Sequence, residues 1–131
     1  MYYMQKYSRQ RETIRNHLTG RMDHPTAEMI YTALKEEDPK LSLGTVYRNL
    51  ALLTEQGEIR KIQTANGPDR YDGNRTEHYH FLCRKCCQIF DLYPKEPDEL
   101  KKVIGGWQDG RIDDVLLNVY GLCGHCGKET I

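Results

Sequence analysis

Apolar residues recur at helical spacing along the first half of the chain. Ile14 and Leu18 stand four apart within residues 9–18 and predict a first helix, with Gly20 as its stop. Ala27, Ile30, Tyr31 and Leu34 follow the i, i+3, i+4, i+7 pattern of a second helix. It is entered through His24-Pro25-Thr26, with Thr26 as N-cap and Glu28 in the positive first turn, and it ends at Glu36-Glu37-Asp38 and Pro39. Ser42 caps a third helix that runs to about Gln56, buries Val46, Leu50 and Leu53, and stops at Gly57. From Glu58 the period changes to two. Residues 58–63 alternate as a strand, Asn66-Gly67-Pro68-Asp69 is a turn, and Arg70-Tyr71-Asp72 is the return strand. Three helices followed by a hairpin predict a winged helix-turn-helix, a common reader of double-stranded DNA.

The polar, turn-rich run Gly73-Asn74-Arg75-Thr76-Glu77 marks a boundary, giving an N-terminal domain over residues 1–73 and a second over 74–131. In the second, residues 79–92 read as strand interrupted by a cysteine knuckle. Residues 97–107 read as a helix through Leu100, Val103 and Ile104, and 115–122 as a further strand. The expected fold class is therefore α+β: a winged-helix DNA-binding domain plus a small α/β domain. The second domain is too short for an ample core of its own, so its sheet is expected to be buried in a homodimer.

Charge alters this picture only locally. The 131 residues carry 19 basic and 19 acidic side chains, so no global field advertises a polyanionic partner. From Met1 to Arg21, however, Lys6, Arg9, Arg11, Arg15 and Arg21 face a single anion, Glu12, and this end can meet phosphates. No stretch approaches a membrane span, and the N-terminus lacks the apolar core of a signal peptide. A cytoplasmic, reducing location is expected, where five cysteines point to metal or redox chemistry rather than disulfides.

Those cysteines are spaced as two knuckles, Cys83-x-x-Cys86 and Cys123-x-x-Cys126. A two-residue spacing lets a tight turn aim both sulfurs at one point, and two such turns complete a closed tetrahedron around a structural zinc. A thioredoxin-like redox pair or a set of buried thiols is the competing reading, but paired knuckles are far more specific than one. Cys87 lies outside the set and is expected to point away from the metal.

A second constellation precedes the first knuckle. In His78-Tyr79-His80, strand alternation places both imidazoles on one face. Two surface histidines would look the same. Asp72 at the end of the wing, Asp91 beyond the knuckle and His24 before helix two are further donors that the fold could bring near. A set of three histidines and two aspartates suits Fe(II) or Mn(II), lacking the thiolate that selects zinc. For nucleic acid, Thr45, Tyr47, Arg48 and Asn49 lie on the third helix, whose capped N-terminus can face a phosphate. Arg48 suits guanine in the major groove, with Tyr47 beside it, while Lys61 and Arg60 on the hairpin and Arg11 on helix one are placed for the backbone. An ordinary solvated helix face carrying one arginine would present the same residue types.

Taken together, these motifs resemble the ferric uptake regulator family of bacterial metal- and peroxide-responsive repressors. The similarity runs from about Ser8 to Cys126. It is carried by His24-Pro25-Thr26-Ala27-Glu28, Thr45-Val46-Tyr47-Arg48-Asn49-Leu50, Glu77-His78-Tyr79-His80-Phe81-x-Cys83-x-x-Cys86 and Tyr120-Gly121-x-Cys123-x-x-Cys126. Ser8-Arg9-Gln10-Arg11 is similar to the family's Thr-Pro-Gln-Arg opening, with Arg9 in place of proline, and Cys87 stands where glycine is usual. The peroxide-sensing members are the most similar. Their regulatory metal is held by three histidines and two aspartates, matched here by His24, Asp72, His78, His80 and Asp91. The resemblance implies a homodimeric, metal-dependent repressor of palindromic operators in which Fe(II) and peroxide oxidise a ligand histidine, His24 or His78. It implies no enzymatic turnover. An iron- or manganese-responsive repressor without peroxide sensing is the alternative within the family. Outside it, a zinc-ribbon interaction module would keep the cysteines and make His78 and His80 incidental. A metalloenzyme would need a pocket and a substrate-binding residue set, for which the sequence has no signature.

Overall fold

A computed structural model describes residues 8–65 and 67–128. Lys6 of the N-terminal cations and Asn66 of the expected hairpin turn lie outside the described residues. The chain forms two compact units, Met1–Arg75 and Thr76–Ile131, each with its own sheet and core.

The first unit holds three helices and a hairpin: α1 (Arg9–Leu18), α2 (Ala27–Lys35), α3 (Leu43–Glu55), β1 (Arg60–Ile62) and β2 (Arg70–Asp72). Each helix starts where a hydroxyl can serve an otherwise unpartnered amide. Ser8, Thr26 and Ser42 accept from the backbone N–H groups of Arg11, Met29 and Thr45 respectively. The apolar stripes converge on one core that includes Ile14, Leu18, Ile30, Val46, Leu50 and Tyr71. The hairpin pairs antiparallel, with Arg60 opposite Asp72 and Ile62 opposite Arg70. Its first strand is shorter than the alternation over residues 58–63 implied, because Ile59 turns into the helical core and Gln63 leaves the ladder.

Gly73 is fixed by close approach: a Cβ there would stand 2.7 Å from the Leu18 carbonyl oxygen. The chain therefore leaves the wing pressed against the end of α1, which sets the position of the preceding Asp72.

The second unit is a three-stranded sheet in the order β4-β3-β5, with β3 (Tyr79–Cys83), β4 (Ile89–Leu92) and β5 (Asn118–Gly121), plus the short helices α4 (Glu99–Ile104) and α5 (Gly124–Gly127). β3 and β4 pair antiparallel around the first knuckle, whereas β3 and β5 run parallel. Three expected elements are corrected. His78 lies just before β3 rather than within it. The helix expected over 97–107 is confined to six residues, because Asp98 at its start sits in the left-handed region without a side-chain cap and Gly105 (φ 85°) ends it. The strand expected from Val115 begins only at Asn118, where pairing with His80 starts. Among the described residues, α4 buries none, and no helix is long and apolar enough to cross a membrane.

Cys87 is left-handed at φ 66°, a conformation that costs an L-residue roughly 1–2 kcal/mol and glycine almost nothing. Its side chain is exposed, so little packing offsets that cost. Glycine would adopt this backbone conformation without the cost. Cys87→Gly is expected to stabilise the zinc-loaded protein by roughly 1 kcal/mol, read as a rise in thermal midpoint, while Cys87→Ala leaves it unchanged. An equal gain from alanine would show that the thiol, not the backbone, was unfavourable.

Candidate metal centres

The parallel register of β3 and β5 builds the first centre. Cys83, the last residue of β3, pairs with Gly121 at the end of β5, so the two knuckles that follow these strands meet. The Arg84 amide, donating to the Gly121 carbonyl at 2.8 Å, locks the turns together. One sulfur from each of Cys83, Cys86, Cys123 and Cys126 lies within 4.8 Å of all the others, and Cys86 Sγ is 3.9 Å from Cys123 Sγ. A zinc with ~2.3 Å bonds needs sulfurs about 3.8 Å apart, so the four fit the ion with a small contraction. All four expected ligands are brought together; Cys87 is outside the cluster and exposed.

Backbone amides already favour thiolate at this site. The Cys123 N–H donates to Cys83 Sγ at 3.4 Å and the Cys126 N–H to Cys123 Sγ at 3.5 Å. Amides of Cys86 and Cys123 hold the Cys83 thiol down to about 6, whereas burial, with the neighbouring sulfurs, pushes Cys126 up to about 12. Metal binding must expel whichever protons remain. At pH 7.5 Cys83 is already ionised and contributes no proton. Below about 6 it is protonated and must release one. Zinc titrations in buffers of differing ionisation enthalpy are thus expected to show about one more proton released per ion at pH 5 than at pH 7.5. An unchanged proton count would place Cys83 in the ordinary thiol range.

The second expected set is represented by donors in each unit. In the C-terminal unit, antiparallel pairing sets His80 directly opposite Asp91. Asp91 Oδ1 lies 3.7 Å from His80 Nε2 and 3.6 Å from His78 Nε2, and the two imidazole rings meet edge to face at 4.7 Å. His78 is buried, and its Nδ1–H donates to the Thr76 carbonyl at 2.6 Å. Since a carbonyl only accepts, that bond puts the proton on Nδ1 and the lone pair on Nε2, the nitrogen 3.6 Å from Asp91 Oδ1. Tyr79, between the histidines, is itself anchored by donating its hydroxyl to Glu77 Oε2 at 3.0 Å.

In the N-terminal unit, His24 Nε2 is 3.7 Å from Asp72 Oδ2, and both side chains are only 1% exposed. Three backbone features join these residues across 48 positions of sequence. Thr26 forms an isolated bridge with Arg70, the Tyr71 amide donates to the Pro25 carbonyl at 2.9 Å, and Arg70 donates to the carbonyls of His24 and Asp23. His24 is held at φ 53°, a left-handed conformation that non-glycine residues adopt at a cost, and often where a site demands it. The Asn74 amide donates to Asp72 Oδ1 at 2.8 Å, leaving Oδ2 toward the imidazole.

Two contributors escaped the sequence reading. Arg70 positions His24 through backbone carbonyls, a role with no local signature. Thr76 sets the His78 tautomer, and only its two-residue spacing could have suggested it.

The expected DNA contacts are distributed over α1, α3 and β1. Tyr47 and Arg48 are exposed, and Arg48 Nη2 donates to Thr45 Oγ1 at 3.0 Å, folding its guanidinium over the first turn of α3. Asn49 uses its amide on the Thr45 carbonyl of its own helix at 3.0 Å. Arg11 is half-buried on α1, and exposed Lys61 is 3.9 Å from Asp69 on the facing arm of the hairpin.

Comparison with known proteins agrees with this architecture. The family model described as the ferric uptake regulator family matches residues 4–120. The peroxide-responsive repressor PerR of Staphylococcus epidermidis is 32% identical over 120 residues, 92% of this chain and 80% of the relative. The peroxide operon regulator of Bacillus subtilis is also 32% identical, covering 92% and 83%. The crystal structure of the Campylobacter jejuni peroxide stress regulator superposes with a TM-score of 0.73 at 33% identity, over 89% of this chain and 88% of that one. With that coverage, and with both knuckles in place, the chain belongs to the ferric uptake regulator family.

Proposed function

We propose that this metal-dependent transcriptional repressor senses peroxide through Fe(II) held by His24, Asp72, His78, His80 and Asp91. The observation that carries the reading is the Asp91 carboxylate, set by strand register against His80 and shared with His78, with no thiolate among the donors. Nitrogen and oxygen donors alone suit Fe(II) or Mn(II), while the separate four-sulfur cluster suits zinc. The similarity to peroxide-responsive repressors supports the same assignment.

The chain's own residues would act as follows. His24 and Asp72 belong to the DNA-reading unit and His78, His80 and Asp91 to the other, so ligands from both on one ion would bias their arrangement toward the DNA-binding form. Two copies, associating through the second unit, would present paired α3 helices to a palindromic operator. Val103 at 75% and Leu116 at 74% exposure are apolar surface that a homodimer would cover. Thr45, Tyr47, Arg48 and Asn49 would face the groove, with Arg11 and Lys61 toward phosphates. Fe(II) held by these side chains would supply the redox chemistry that activates peroxide, and the imidazoles of His24 and His78 would stand beside it as the oxidisable groups. Oxidation of His24 or His78 would remove a donor, and the DNA-binding form would be lost.

Operator binding with Fe(II), Mn(II) or Zn(II), each with and without peroxide, tests this. Release from DNA confined to the iron sample after peroxide is the expected result, with one added oxygen on a His24 or His78 peptide. Unchanged iron-dependent binding after peroxide would instead support an iron- or manganese-responsive repressor.

A further inference from the structure

Tyr93 has no part in either donor set. It follows β4 directly, two residues past Asp91, and its ring lies 5.6 Å from the His78 ring at a tilt of 34°. The His78 side chain has no exposed area, whereas Tyr93 is 55% exposed. An electron-rich phenol therefore stands against a proposed ligand ring while remaining open to a small solute.

We propose that Tyr93 is an oxidative modification site, hydroxylated ortho to its phenol oxygen in competition with His78 when peroxide reacts at the iron-loaded donors. The inference rests on the peroxide-sensing reading above. The step balances with peroxide alone. The O–O bond breaks, one oxygen forms a C–O bond at the ring carbon, and the displaced hydrogen leaves with the other oxygen as water. The ring supplies the two electrons that reduce the peroxide. An oxidising equivalent spent on Tyr93 leaves the imidazole intact, so Tyr93 would raise the peroxide dose needed to remove a ligand.

The chain contains its own control. Tyr47, on α3, is 47% exposed and so meets diffusing radicals nearly as freely as Tyr93. Trypsin releases Tyr47 on Leu41–Arg48, free of Met and Cys, and Tyr93 on Cys86–Lys95, where fragments containing only residues 93–95 separate it from the cysteines. Full-length zinc-loaded protein with Fe(II) is treated with hydrogen peroxide, and a gain of about 16 Da, one oxygen, is localised by fragmentation. Tyr93 is expected to be modified roughly tenfold more than Tyr47, because a target held beside the reaction competes at high effective concentration. Tyr93→Leu should raise the oxidised fraction of His78 severalfold at equal peroxide, with Mn(II) titration confirming that the donors still bind.

Equal modification of Tyr93 and Tyr47 would mean bulk radicals and overturn the proposal. Oxidised His24 or His78 with unmodified Tyr93 would overturn it while leaving peroxide sensing in place. No added oxygen on any of these residues would overturn both. His78 oxidation unchanged in Tyr93→Leu would remove the competition.

Discussion

Cys126→Ser is expected to abolish zinc binding and unfold the C-terminal unit while the N-terminal unit continues to melt cooperatively. The reason lies in what fills that unit's interior. Among the described residues, one core cluster is Cys83, Cys123 and Cys126 with Phe81 packed against them; Tyr79, Leu82 and Ile89 are the other buried apolar side chains of this unit, and α4 adds none. A sheet of three short strands with so small an apolar interior is only marginally stable by itself. Binding of a structural zinc contributes on the order of 10 kcal/mol to folding in small metal domains, which is comparable to the typical net stability of a whole domain. A serine hydroxyl at position 126 offers a poor ligand, and the three remaining sulfurs would lack the fourth donor that closes the tetrahedron. Zinc content by mass spectrometry should fall from about one per chain to near zero, with rapid tryptic cleavage after Arg84 and Lys85. Cys87→Ser should retain its zinc. A Cys126→Ser protein that kept full zinc and resisted trypsin would show that three sulfurs suffice.

Asp91→Ala is expected to leave zinc in place and remove the second metal. One carboxylate oxygen stands within 3.7 Å of both His78 Nε2 and His80 Nε2, so truncation deletes the only anion between two imidazoles among the described residues of that unit's set. Loss even of outer-shell partners lowers metal affinity 10–100-fold, and loss of a direct ligand should cost at least about 100-fold. Equilibrium titration of the zinc-loaded protein with Mn(II), which avoids oxidation chemistry, should show Mn(II) binding dropping from about one per chain to near zero. Metal-dependent operator binding should vanish with it. A variant that bound Mn(II) as tightly as the parent would remove Asp91 from the ligand set, and with it the basis for the regulatory site.

Some elements were legible from local pattern alone. α1, α2 and α3 emerge because each combines a hydroxyl cap with an apolar stripe at helical spacing, both encoded within a dozen residues. The four clustered cysteines were readable because the knuckle is a local turn and its repetition is specific. α4 and β5 were read too long for the opposite reason. Val103, Ile104 and Leu116 have the hydrophobicity of buried positions, yet they are exposed in the single chain, so periodicity reported a burial that this unit alone does not provide.

The sequence by itself therefore determined the helical core of the first unit, the composition of the four-cysteine cluster and the family. All of these depend on short-range spacing. Only the tertiary structure decided which donors meet. Parallel pairing of β3 with β5 joins knuckles about forty residues apart, strand register rather than proximity in sequence sets Asp91 against His80, and the Thr26–Arg70 bridge brings His24 to Asp72. It also decided the left-handed backbone at His24 and Cys87 and the placement of Tyr93 on His78. Strand partners and register are settled by which faces can be buried together across the whole chain, and no window of local sequence contains that information.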